Sequence, residues 1–320
     1  MPRYVPLIAA TFALFSASCW GQATKADVQQ AFIEQLANDS SISREQIREW
    51  LDSATVNQDV LRAIKRPWEA KPWYQYYPIF LTEKRLQQGK AFQRRYQQAL
   101  QRAEDVYGVP QSLIVAIIGV ETFYGQYKGK YSVLDSLYTL GFHYPPRAEF
   151  FRSELAEFLT LANNEGWDIN SVRGSYAGAM GYGQFISSSY RHYAVDFDGD
   201  GRRDLMNNPV DAIGSIANYF AEHGYKKGEP VAFDIADDAK LAQFKDNGLK
   251  PTLTQQQLRD QGIAVEQQVP NELTVIPLQT ADGTNYWLGF HNFYVITRYN
   301  HSPLYAMVVY QLSQQLASDK

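Results

Sequence analysis

Two groups of side chains in this 320-residue sequence could do chemistry, and both are built from carboxylates. The first is a single residue, Glu121. Ile114, Ile117 and Ile118 precede it at helical spacing, so a helix opening at Pro110 carries all four on one face. A carboxylate on a buried face is costly unless it is paired or protonated. Burial favours the neutral acid, the form a general acid needs near neutral pH, and glycosidases use carboxyl groups in this way. The alternative is a Glu near a helix end that reaches solvent or pairs with an arginine. The spacing thus nominates Glu121 for acid/base work and names no substrate.

The second group is an acidic loop. Asp196, Asp198 and Asp200 occupy alternate positions and Gly201 follows. An EF-hand loop places ligands at positions one, three and five, glycine at six and a backbone carbonyl at seven. Arg202 would supply that carbonyl and Asp204 stands at position nine. Position twelve is Asn207, where the standard loop has a bidentate Glu, so the closing ligand departs from the pattern. Hard oxygen ligands favour calcium over zinc, and three spaced aspartates would otherwise repel. A metal-free acidic turn is the competing reading. A single loop suits a structural ion rather than a calcium buffer or sensor. The five histidines show no zinc spacing, and no organic cofactor is expected.

These residues need a core to hold them, and 45% hydrophobic residues suffice for a sizeable one. The 22 tyrosines suit carbohydrate rings or ordinary cores equally. A formal net charge of -4 argues against nucleic-acid binding and against charge-driven attachment to a membrane surface. Val28, Phe32, Ile33 and Leu36 share a helical face, and Ser43 with Gln46 predicts a capping box opening a second helix. The aromatic and proline-rich stretch from Pro67 to Pro78 reads as extended. Phe92, Tyr96, Leu100, Ala103 and Tyr107 predict one helix ending at Gly108. Pro110 is expected as the first residue of the next helix. Further helices are expected over 150–161 and 210–220, and one opening at Ser302-Pro303. Strand character appears around Val231, Phe233 and Ile235, over 273–278 and over 286–297.

The N-terminus reads as an export signal. Arg3 precedes the apolar run Pro6 to Phe15, which is too short to span a bilayer, and small residues follow. Cleavage before Cys19 would make a lipoprotein, although Ser16 stands where such signals usually have Leu; cleavage after Ala23 would discard the cysteine. Cys19 is the only cysteine, so no intrachain disulfide exists. The mature protein is expected in the periplasm, with Cys19 as a candidate outer-membrane lipid anchor.

Four longer segments resemble the membrane-bound lytic transglycosylase B family. They are Gly119-Val120-Glu121-Thr122 with Tyr124-Gly125, Ser175 through Phe185, Ala194 through Gly201, and Asn292 through Asn300. The likeness runs from about Trp73 to the end. It implies an α+β, mainly α fold: a lysozyme-like catalytic core with a helical domain and a small β-rich domain. The expected layout is a signal over 1–23, a helical region with the core and calcium loop over 24–227, a β-rich insert over 228–285, and a segment returning to the core over 286–320.

The resemblance also implies the reaction, on peptidoglycan glycan strands as partner and with the protein acting as a monomer. Glu121 would protonate the oxygen bridging N-acetylmuramic acid and N-acetylglucosamine, the muramic 2-acetamido group would assist, and the ionised Glu121 would take the proton from the C6 hydroxyl as a 1,6-anhydro ring closes. Ser175 and Asn300 are implied to orient Glu121, and Gln184 to bind sugar. Tyr219, Tyr299 and Tyr305 are implied as cleft walls, with Tyr76 as a further candidate. Arg147 is implied to meet peptide carboxylates, with Pro146 in place of a first arginine. Asp211 is implied as the closing calcium ligand. A wall-binding module without catalysis and a water-using muramidase are the other readings; the second would need a further carboxylate, for which Asp135 and Glu149 are candidates.

Overall fold

The computed structural model describes residues 24–65, 71–235, 239–263, 265 and 269–318. The expected export signal and Cys19 lie outside the described residues. The chain opens with α1 (Lys25–Asp39), capped by Thr24 and Asp27 in a reciprocal box, and α2 (Arg44–Ser53). At the second start the Ser43 side chain accepts from the Gln46 N–H. α3 (Gln58–Ala63) follows.

The stretch expected to be extended instead contains α4 (Trp73–Phe80), with Pro78 inside it. The reason is aromatic spacing. Trp73 and Tyr76 are buried, and rings four apart meet: Trp73 with Tyr77 at 5.3 Å and Tyr76 with Phe80 at 5.0 Å. Tertiary burial of that face outweighs the proline, which removes one hydrogen bond near the helix end. The single helix expected up to Tyr107 is two, α5 (Glu83–Arg95) and α6 (Gln97–Tyr107), broken at Tyr96 with φ -113° and ψ 25°.

α7 (Gln111–Thr122) is the central helix, and Pro110 caps it from outside rather than serving as its first residue. Every residue from Leu113 to Val120 is buried. The helix therefore has no solvent face over these two turns, and the stripe inferred from isoleucine spacing is part of an all-round core. After it come β1 (Tyr131–Ser132), α8 (Val133–His143), α9 (Ala148–Glu165), β2 (Arg173–Gly174), α10 (Ser187–Tyr193) and α11 (Pro209–Glu222), of which α11 packs on α7 and α9 packs on α8 and α10. β1 and β2 pair antiparallel.

A four-stranded antiparallel sheet of order β3-β6-β5-β4 follows, made of β3 (Ala232–Asp234), β4 (Leu253–Thr254), β5 (Glu272–Gln279) and β6 (Thr284–Gly289), with α12 (Gln255–Asp260) after β4. Side chains on β5 alternate between two cores. Leu273 and Val275 join a small cluster with Leu241, Leu258 and Leu288, whereas Ile276 and Leu278 join the main core. The sheet is thereby anchored to the helical body. The strand expected over 286–297 ends at Gly289, and α13 (His291–Tyr299) replaces its second half. Asn292, Phe293, Val295 and Ile296 form its buried side, a helical spacing hidden among β-prone residues. α14 (Pro303–Ala317) closes the chain against α7. The architecture is α+β and mainly α. Among the described residues no single helix is long and apolar enough to cross a membrane.

Candidate active site

α7 stops because two consecutive non-glycine residues turn left-handed. Phe123 has φ 50° and Tyr124 φ 61°, conformations costly for bulky side chains and concentrated at functional positions. The Phe123 and Tyr124 N–H groups return to the carbonyls of Gly119 and Ile118 at 3.1 and 3.2 Å, satisfying the helix end. Thr122 is buried, with its hydroxyl 2.9 Å from the Tyr182 carbonyl and accepting from the Gly125 N–H at 2.9 Å. This ties the helix end to the 175–185 loop. Glu121 is half-buried at this terminus.

Tyr305, fully inside on the first turn of α14, donates its hydroxyl to Glu121 Oε1 at 2.6 Å. A short bond to a charged acceptor is among the stronger kinds. Burial, then the nearby Glu121 charge, raises the Tyr305 pKa well above 10, and Tyr76 contributes from α4. Tyr305 is therefore a neutral donor at any physiological pH. Burial and Glu121 raise Tyr299 in the same way.

The 175–185 loop is folded on itself. The Ser175 hydroxyl accepts from the Ala177 and Ala179 N–H groups at 3.2 and 3.0 Å. Met180 and Phe185 exchange backbone bonds at 2.9 and 3.0 Å. At Gly181, with φ 73°, a Cβ would stand 2.2 Å from the Leu205 carbonyl oxygen, so only glycine lets this loop touch the acidic loop. Gln184, itself left-handed at φ 51°, donates its amide to the carbonyls of Gly181 and Lys128 at 2.9 and 3.2 Å. Tyr299 donates to the Gly183 carbonyl at 2.6 Å and Tyr219 to the Arg298 carbonyl at 2.6 Å, with their rings 4.8 Å apart. His223 stacks on Tyr219 at 4.0 Å.

The structure thus gathers Glu121, Tyr305, Tyr76 and Tyr299 around the end of α7, with Tyr219 and the Gln184 loop adjoining. Asn300 caps the turn into α14, its side-chain oxygen accepting from the Ser302 N–H at 3.1 Å. Arg147 lies instead on an exposed turn, its guanidinium 4.4 Å over the Phe150 ring. Asp135 accepts from the Thr55 N–H at 2.7 Å, and Glu149 stands exposed in the first turn of α9. Sequence reading passed over Thr122 as a structural tie; its position directly after Glu121 at a helix end was the available signal.

In the acidic loop, Asp196, Asp198 and Asp211 each offer an oxygen, and these oxygens lie within 4.8 Å of one another. Asp211 is fully buried in the first turn of α11 and accepts from the Phe197 and Asp204 N–H groups at 2.8 and 2.9 Å. Burial raises its pKa. Asp196 accepts from the N–H groups of Gly199, Asp200 and Gly201 at 2.7 to 3.1 Å. Asp200 is exposed and accepts from the Arg202 N–H at 2.9 Å, so its carboxylate is outside the trio. Asn207 at position twelve turns its amide nitrogen to Asp204 at 3.2 Å. Converging carboxylate oxygens, one buried, fit a hard cation: the cluster could hold a metal ion.

Residues 24–314 match the family described as Transglycosylase SLT domain. The chain is 44% identical over 300 residues to membrane-bound lytic murein transglycosylase B of Escherichia coli (strain K12), covering 90% of this chain and 82% of that protein. Among solved structures it is similar to the catenated lytic transglycosylase SltB1 from Pseudomonas aeruginosa, at 44% identity and TM-score 0.85, covering 91% of this chain and 97% of that one. It is also similar to the Escherichia coli lytic transglycosylase Slt35 in complex with calcium, at 45% identity and TM-score 0.83, covering 90% and 92%. Matches of this extent make the chain a member of the membrane-bound lytic murein transglycosylase B family, a lytic transglycosylase with the lysozyme-like α+β architecture of its relatives.

Proposed function

We propose that this lytic transglycosylase cuts the bond between N-acetylmuramic acid and N-acetylglucosamine with Glu121 as its one acid, then base. Glu121 gives its proton to the bridging oxygen as the C1–O bond breaks. The oxygen of the muramic 2-acetamido group attacks C1 and takes the place of a second carboxylate. The ionised Glu121 then accepts the C6 hydroxyl proton, O6 bonds to C1, and the acetamido bond is released. No water enters, and the product ends in a 1,6-anhydro ring. The observation that carries this reading is the 2.6 Å bond from Tyr305 to the half-buried Glu121 at the end of a buried helix. A phenol that stays neutral cannot take the proton; it holds one carboxylate oxygen and steadies the anion formed between the two steps.

The same reading assigns further roles. Tyr219 and Tyr299 spend their hydroxyls on backbone carbonyls, which supports rigid apolar walls for sugar rings. Ser175 shapes the loop that Gln184 presents to the glycan, and Asn300 fixes the α13–α14 turn that sets Tyr305. Tyr76 completes the wall behind Tyr305, and the role of Arg147 in meeting peptide carboxylates rests on the family resemblance, since its side chain lies over Phe150 on an exposed turn. The acidic loop would hold calcium through Asp196, Asp198 and Asp211, with Asp200 and the Arg202 carbonyl as further candidate oxygen ligands, and the ion would supply the counter-charge that keeps the loop folded beside the 181–184 segment. The protein works in the periplasm, attached to the outer membrane through Cys19, as a monomer on glycan strands.

Glu121→Gln keeps shape and removes the transferable proton. Turnover of purified murein should fall by roughly a hundredfold or more, with sedimentation on insoluble murein unchanged. Near-normal turnover in this variant overturns the assignment.

A further inference from the structure

Arg85 is a buried cation with an unusual set of partners. It lies on α5 at 9% exposure, and among the described residues no carboxylate pairs with it. Its Nε donates to the Gly119 carbonyl at 3.1 Å, and its Nη1 to the carbonyls of Ile79 and Phe80 at 2.8 and 2.6 Å. Those acceptors end two helices: Ile79 and Phe80 finish α4, which carries Tyr76, and Gly119 lies two residues before Glu121 in the last turn of α7. Helix C-termini carry partial negative charge on their last carbonyls, so two of them together serve as the counter-charge. The planar fork of a guanidinium can reach both ends at once, which an ammonium cannot. Its faces are covered by Phe80 and Phe123, with ring centroids 5.2 and 5.0 Å from the central carbon.

The same residue secures the turn beyond Glu121. The buried Tyr124 hydroxyl donates to the Arg85 carbonyl at 2.9 Å. The Tyr124 ring lies directly on Gly119, where a Cβ would stand 2.6 Å from that hydroxyl. Phe123 and Tyr124, the two left-handed residues, are thus held from one point: Phe123 by the guanidinium and Tyr124 by the main chain of Arg85. Strain of this kind persists only where the surroundings over-determine it.

We infer that Arg85 is a positioning residue for Glu121, clamping the ends of α4 and α7 so that the acid/base and the Tyr76–Tyr305 wall keep a fixed separation. The inference rests on the assignment of Glu121 above. Small displacements of a catalytic group are expensive in rate, on the order of a hundredfold for about 1 Å, so a loosened clamp should lower kcat and leave KM nearly alone.

The test uses the full chain on purified murein, with Arg85→Lys and Tyr124→Phe beside Glu121→Gln, each first checked for a cooperative melt. Arg85→Lys keeps the charge and loses the fork; Tyr124→Phe keeps the ring and loses the bond to Arg85. The expected results are a kcat lower by roughly tenfold or more in Arg85→Lys and by a few-fold in Tyr124→Phe, with KM within about twofold in both. Added guanidinium should restore part of the rate in Arg85→Ala, which a role in bulk stability alone would not predict. A folded Arg85→Lys with wild-type kcat overturns the inference. If Arg85→Lys does not fold, wild-type kcat in Tyr124→Phe overturns it instead. An inactive Glu121→Gln beside a fully active Arg85→Lys sinks only the clamp, whereas an active Glu121→Gln sinks the reading beneath it.

Discussion

At the end of α7 one carboxylate is met by a side-chain hydroxyl from a distant helix; in the 196–211 loop three carboxylates converge and are met by backbone N–H groups. Glu121 is half-buried, and its partner Tyr305 is 184 residues away. Asp211 is wholly buried, and its partners are the amides of Phe197, Asp198 and Asp204. The difference separates two uses of the same functional group. On the proposed reading Glu121 is a proton carrier, which must reach substrate and change charge twice in each cycle, so incomplete burial beside a donor that stays neutral suits it. On the proposed reading Asp211 is a metal ligand that keeps its charge, so fixed amides can cage it and a bound cation would offset its burial.

Substitutions at the two places should therefore fail in different ways. The largest effect is at Glu121, where Gln should cost about a hundredfold or more in turnover and leave the melting temperature nearly unchanged. Tyr305→Phe is next: it removes one hydrogen bond to a charged group, worth about 1.5–3 kcal/mol, so kcat should fall by roughly tenfold or more. Full activity in Tyr305→Phe would show that the bond is incidental. At the loop the effect should be thermal. Calcium at about a hundred times its Kd adds about 2.7 kcal/mol, which raises the melting temperature by several degrees. Asp211→Asn should abolish that gain and leave activity at room temperature within about twofold. Identical melting curves in calcium and in chelator would remove the metal from the account.

The smallest effect is on alkaline stability, and it sharpens the contrast between open and enclosed groups. Tyr219, Tyr299 and Tyr305 have folded pKa values above the 10 of a free phenol because they are buried. Below pH 10 they are neutral in both states and their full contribution is present. As pH rises past 10 the unfolded phenols ionise first, so stability should fall progressively toward the higher folded values. Urea midpoints at pH 9, 10 and 11 check this, and Tyr219→Phe should flatten the decline. A flat profile in the wild type would contradict the burial of these hydroxyls.

Much of this was legible in the chain, though for uneven reasons. Glu121 was found by its spacing from Ile114, Ile117 and Ile118, yet α7 is buried on every side, so what distinguishes Glu121 is the helix end. That end depends on Phe123 and Tyr124 turning left-handed, which no propensity predicts. The acidic loop is local, so alternating aspartates disclosed it; Asp211 closes it only in three dimensions and came from family resemblance. The Tyr305 bond to Glu121 joins distant segments and left no mark in local pattern. The errors have the same origin. Pro72 and Pro78 obscured the ring spacing of α4, and aromatic, β-prone residues over 286–297 concealed the start of α13. In both cases tertiary burial decided the element.

In the proposed mechanism one carboxylate gives a proton to the leaving group and takes one from the internal C6 hydroxyl, with no water taken up. Digestion of purified murein in oxygen-18 water, followed by mass spectrometry of the released fragments, tests this directly. The expected fragments carry 1,6-anhydromuramic ends with no label. Reducing ends labelled at C1 would contradict the mechanism and make the enzyme a hydrolase.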